Sequence, residues 1–227
     1  MNGYDNEVYQ ARRKRLEEQI FTEKNRQEES LTILSDGYTL RRVYYVDDKE
    51  TSEGYAPPDG EWCRLCHTDT CLFDWKNVDG HSRLGTVIEH ANGRHYLLFD
   101  EDLYGYSVLE IETGRCVRYM PEESMCQEAN TFRETFIWCE AYYDRNSSLL
   151  AVEGCYWGCP SGIIVVNFAD PMTIVETSAW YEVPAAIPNE DQEDDGDLSF
   201  VRWDTDRLVH SQGAVSKQTM NAALAVR

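Results

Sequence analysis

No apolar run in this chain approaches the roughly 20 residues that a membrane-spanning helix needs. The N-terminus is polar and charged, without a stretch like a signal peptide, so a cytoplasmic location is expected. Cationic side chains are scarce: 21 Lys and Arg stand against 41 Asp and Glu, for a net charge of -20. Such a surface repels nucleic-acid phosphates and argues against nucleic-acid binding. There is no Gly-rich phosphate loop and no dinucleotide fingerprint. There is also no Gly-x-Ser-x-Gly nucleophile elbow. These absences remove the commonest readable enzyme classes and favour a non-enzymatic protein.

Aromatic residues are plentiful, at 12% of 227 residues, so a sizeable core can form. Short apolar runs rich in β-branched and aromatic residues alternate with turn residues. This pattern predicts antiparallel strands joined by tight loops, a mainly β fold. The stretch from Asn6 to Glu29 differs. It lacks Pro and Gly, is full of helix formers, and predicts one charged helix within residues 1–30. Val8, Leu16 and Ile20 would share a face, flanked by Tyr9 and Phe21. Arg12 to Arg15 form a basic patch followed at once by Glu17 and Glu18. Residues 31–227 then form the β domain.

Its first hairpin is expected across Ser35-Asp36-Gly37, where Asp-Gly supplies the positive φ of a tight turn. The clearest unit runs from Leu84 to Tyr119. Four strands are expected there, around Val87, Tyr96–Phe99, Ser107–Ile111 and Cys116–Tyr119, with an Asn92-Gly93 turn after the first. A second unit repeats this plan about 50 residues later. Its strands are expected at Phe136–Trp138, Leu149–Val152, Gly162–Val166 and Ile174–Val175. A third copy begins at Ser199, with Arg207–His210 as its second strand. Between these copies lies an acidic run from Pro188 to Asp197, read as a solvated loop because it lacks the spacing of a calcium loop.

Four-stranded units of this length, with third strands such as Ser107-Val-Leu-Glu-Ile-Glu-Thr-Gly114, resemble the blades of WD40-type β-propellers. The resemblance implies a small or incomplete propeller of antiparallel meanders, or a partial one completed by a second copy as a homodimer. The repeats do not each carry the Gly-His and Trp-Asp pair of such blades; Trp203-Asp204 is the one Trp-Asp pair, and it lies in a first strand.

Two sets of residues are candidates for function. Tyr104, Tyr106, Tyr156 and Trp157 are expected on loops beside Gly, where aromatics over a rigid scaffold mark binding surfaces. They point to a protein partner, with the acidity favouring a basic one; an immunity-type protein blocking a basic bacterial toxin is one concrete version. The second set is Cys63, Cys66 and Cys71, with His67. Thiolates and imidazole suit a tetrahedral zinc site, with Cys155 or Cys159 available as a further ligand. The alternative function is thus a small zinc–thiolate metalloprotein or metal-dependent enzyme. The eight cysteines are otherwise expected as reduced thiols filling core positions. His90 and His95 are read as a cross-strand pair flanking the Asn92-Gly93 turn.

Overall fold

The computed structural model describes residues 2–48, 56–68, 70–125, 131–185 and 196–226. Within them the strands form successive meanders in chain order, and every ladder is antiparallel. The first sheet holds β1 (Arg26–Ile33), β2 (Tyr38–Val46), β3 (Asp59–His67) and β4 (Thr70–Asn77). The second holds β5 (Gly85–Glu89), β6 (His95–Phe99), β7 (Tyr106–Glu110) and β8 (Arg115–Tyr119). The third holds β9 (Ile137–Asp144), β10 (Leu149–Cys155), β11 (Gly162–Asn167) and β12 (Tyr181–Glu182). The fourth has three strands, β13 (Phe200–Trp203), β14 (Arg207–His210) and β15 (Gly213–Ser216). Helix α1 (Glu7–Ile20) precedes the sheets and α2 (Lys217–Ala225) follows them.

The mainly β expectation and the first complete meander are therefore realised. The fourth strand of the third sheet is not where it was expected. Ile174 and Val175 form no strand; Tyr181 and Glu182 pair with Val165 and Ile164 instead. The reason is local. The Val175 amide donates to the Tyr106 hydroxyl, 2.8 Å, and that hydroxyl donates back to the Val175 carbonyl, 3.2 Å. A side chain thus satisfies the backbone groups that a ladder would have used.

Consecutive sheets pack face to face, and strand alternation decides which residue meets which neighbour. Leu97, Phe99 and Leu109 of the second sheet pack against Leu40, Cys63, Leu65 and Trp75 of the first. Their neighbours Tyr96, Leu98 and Val108 point the other way, onto Trp138, Leu150, Val152 and Ile164 of the third sheet. The third sheet repeats the device. Leu149, Ala151, Ile163 and Val165 meet Leu198, Leu208 of β14 and Met220 of α2. Burial on both faces is why Tyr96–Phe99 and Leu149–Val152 read as continuous apolar runs instead of alternating ones. Among the described residues no hydrophobic cluster joins the first sheet to the fourth.

Helix α1 is a strap across the ends of three sheets. Asn6 caps it, accepting from the Val8 amide at 2.9 Å. Tyr9 packs with Tyr104, Met120 and Ile137. Ile20 packs with Val43, Tyr45 and Val78. Between them Arg13 is buried and donates to the carbonyls of Glu101 and Lys76, both at 2.7 Å. The inner face is therefore Tyr9–Arg13–Ile20, not one led by Val8, which is exposed. Arg13 leaves the presumed basic patch because only a long, forked donor reaches two carbonyls at the sheet ends. The helix also stops earlier than expected. Asn25 Nδ2 donates to the carbonyls of Gln19 and Ile20, each at 2.9 Å, and closes its C-terminus. Residues from Arg26 onward become β1, an edge strand paired with β2.

Candidate functional site at the loop rim

Because each sheet is a meander, alternate connections emerge at the same end. The β6–β7 loop (100–105), the segments that follow β8 (120–125) and precede β9 (131–136), and the β10–β11 loop (156–161) share the end that α1 crosses. Leu103 and Tyr104 of the first, Phe132 of the segment before β9, and Ile137 and Cys155 from the flanking strands meet in one cluster with Tyr9. Above it opens a cavity of about 300 Å³, lined by Leu103, Tyr104, Phe132, Glu134 and Trp157.

Gly105 makes the floor possible. Its φ is +84°, and a Cβ there would lie 2.1 Å from the Tyr119 carbonyl oxygen. The turn lets Tyr104 fold onto the cluster, where it is buried, with its ring 6.0 Å from that of Phe132 and tilted 59°. Trp157 stands on the opposite wall, in a turn closed by the Cys159 amide donating to the Tyr156 carbonyl at 2.9 Å. Its side chain is 66% exposed. It is the one exposed member of the six tryptophans. The site is electronegative. Burial, followed by the Glu134, Asp79 and Asp102 carboxylates, pushes the Tyr104 hydroxyl up to about 12.

The four aromatics expected on loops therefore divide. Tyr104 and Trp157 line one cavity. Tyr156 sits beside Trp157 in the same turn; its ring meets Phe136 edge-on at 5.5 Å and its hydroxyl donates to Glu182 at 2.5 Å. Tyr106 is not a loop residue. It opens β7, is buried, and stacks on Trp138. Phe132 and Glu134 were missed by sequence reading, because Thr131–Thr135 carries no period or turn signal that would set them against a loop 28 residues upstream.

The sulfur set is not gathered at one point. Cys63 faces Trp75 across the ladder and lies in the core between the first two sheets, where burial pushes its thiol well above the usual range. Cys66 and Cys71 oppose each other on β3 and β4, with their thiols in contact range of one another. A Cys-x-x-Cys spacing converges on one ion when the chain turns between the cysteines. Here both lie on a strand, where three residues span about 10 Å. His67 is exposed, with its ring 5.0 Å from Tyr38. Cys155 belongs to the Tyr104 cluster in the third sheet and Cys159 is exposed. Among the described residues no group of three or more His, Cys, Asp or Glu is placed to hold a metal ion. The acidic run from Pro188 to Asp195 lies outside the described residues.

The histidine expectation is also corrected. His95 pairs with Glu89, not with His90. His90 is buried, faces Arg94 across the turn, and uses Nε2 on the Phe168 carbonyl at 3.0 Å. It is a tie between the second and third sheets. Among the described residues no helix is long and apolar enough to cross a membrane.

No protein-family model, curated protein or solved structure matches this chain. Function must be read from the geometry of the rim itself.

Proposed function

We propose that this chain is a non-enzymatic interaction module, an open set of propeller-like blades whose loop rim binds a protein partner. The observation that carries the reading is Trp157. A large apolar side chain left 66% exposed on a turn beside a concave, aromatic-lined recess has the make-up of a binding hot spot. Face-to-face packing of successive meanders supports the blade-like arrangement and gives the rim a rigid base. The net charge of -20 supports a partner with a basic surface, steered by the acidic field. An immunity-type role against a basic toxin is one version of this proposal.

The test is retention of a partner by the immobilised full chain, run in parallel with Trp157→Ala. A protein held by the parent chain, released as salt is raised and lost on Trp157→Ala, supports the module. A partner bound equally by both chains places the contact surface elsewhere and overturns the assignment to this rim.

A further inference from the structure

The same cavity carries a more specific chemistry. Tyr104, Phe132 and Trp157 contribute three aromatic rings, and Glu134 contributes a carboxylate at the wall. Aromatic faces are electron-rich and attract cations, most strongly from indole. Glu134 has no ion-pair partner among the described residues, so its charge is available to a ligand. Arg133, its neighbour in sequence, does not line this cavity but an adjoining recess with Glu123, Thr131 and Phe132. Asp79 and Asp102 add to the negative field at Tyr104. A volume near 300 Å³ is at the small end for ligand pockets and suits one side chain better than a larger molecule.

We infer that this cavity is a receptor for one cationic side chain, a lysine or arginine presented by the basic partner. The inference rests on the interaction reading above and deepens it by naming the anchoring group. An aliphatic stem would lie over the wall formed by Tyr104 and Phe132, and its charged head would meet Trp157 and Glu134. A neutral apolar side chain of the same length would keep the stem contacts and lose the rest.

The experiment uses the full chain with ¹⁵N-labelled indoles, the Trp157 signal being assigned through Trp157→Phe. The probes are three capped tripeptides, Gly-Lys-Gly, Gly-Arg-Gly and Gly-norleucine-Gly. A saturable shift of the Trp157 signal is expected with at least one cationic peptide, and binding of the norleucine peptide should be weaker by about fivefold or more. Glu134→Gln should weaken the cationic peptide several-fold, leave the norleucine peptide unchanged, and preserve the unfolding midpoint. Equal binding of the norleucine and cationic peptides would make the cavity merely apolar and overturn the inference. So would the absence of any saturable shift with both cationic peptides. The two readings fail separately. A partner that depends on Trp157 while the cationic peptides do not bind keeps the module and removes the cation site. Peptide binding without any Trp157-dependent partner does the reverse.

Discussion

The ring of Tyr106 lies parallel to the indole of Trp138, 4.2 Å between centroids and 8° between planes. The pair joins the second sheet to the third at the start of β7 and near the start of β9. Trp180 and Tyr119 complete the same aromatic group. Tyr106 is therefore a structural residue, and its hydroxyl also anchors Val175.

Tyr106→Ala should destabilise the chain by about 3–5 kcal/mol, the cost of deleting a buried aromatic ring. Tyr106→Phe should cost only about 1–2 kcal/mol, because the stack survives and the two bonds to Val175 are lost. Denaturant unfolding measures both. A large loss of partner binding in Tyr106→Phe without a change in stability would contradict this structural role.

Trp157→Ala should behave in the opposite way. Its exposed side chain holds little of the core, so stability should change by less than about 0.5 kcal/mol. The comparison with Tyr106→Ala separates contact residues from core residues in one experiment.

Arg13 ties α1 to the first two sheets through two carbonyls and the Glu101 carboxylate, 3.4 Å away. Arg13→Ala should cost about 3–5 kcal/mol, because two carbonyls lose their buried donor and the Glu101 carboxylate is left with Arg118 and Ser107. Arg13→Lys should recover only part of that, since an ammonium lacks the fork that reaches two sites. Faster amide exchange throughout α1 in both variants would locate the damage.

Asp100 gives a pH signature. It is buried and accepts from Ser82 Oγ at 2.5 Å, Asn77 Nδ2 at 2.8 Å, and the Arg83 and Leu84 amides at 3.0 and 3.1 Å. Burial outweighs these donors and raises its pKa from 3.8 to about 6. Between those values the folded chain holds a proton that the unfolded chain has lost. Stability from this group therefore falls as pH rises from 3.8 to 6 and is flat above. The difference between parent and Asp100→Asn should favour the parent by about 2 kcal/mol more near pH 4 than at pH 7. The comparison cancels Glu110, Glu112 and Asp144, whose lowered pKa values act in the other direction. A difference that does not change with pH would refute the raised value.

Thiol labelling reads the sulfur positions. Cys159 and Cys71 are exposed, whereas Cys63 and Cys66 are buried. Brief alkylation followed by peptide mass analysis should find Cys159 modified first, with Cys71 slower because partial desolvation and the facing Cys66 thiol raise its pKa. Cys63 should stay unmodified until the chain unfolds.

The sequence was strongest where one local rule decided the outcome. Asn92-Gly93 fixed a hairpin, and paired apolar runs at matching spacing announced two successive meanders. It was weaker where a distant group changed the local outcome. Ile174-Val175 has the composition of a strand, yet the Tyr106 hydroxyl occupies its backbone. Arg13 resembles a solvated charge, yet two sheet ends supply its acceptors. The cysteine spacing suggested convergence, yet a straight strand holds Cys63 apart from Cys66.

The chain alone determined strands, turns, acidity and the presence of aromatics near loop glycines, because these follow from neighbours within a few residues. Which aromatic became core and which became wall was decided only by tertiary packing. Tyr104 and Tyr106 differ by two positions, but Gly105 turns the backbone between them, sending one ring to the rim and the other into the joint between sheets. Phe132 and Glu134 joined the cavity for the same reason: the ends of separate meanders meet there, and no local pattern encodes that meeting.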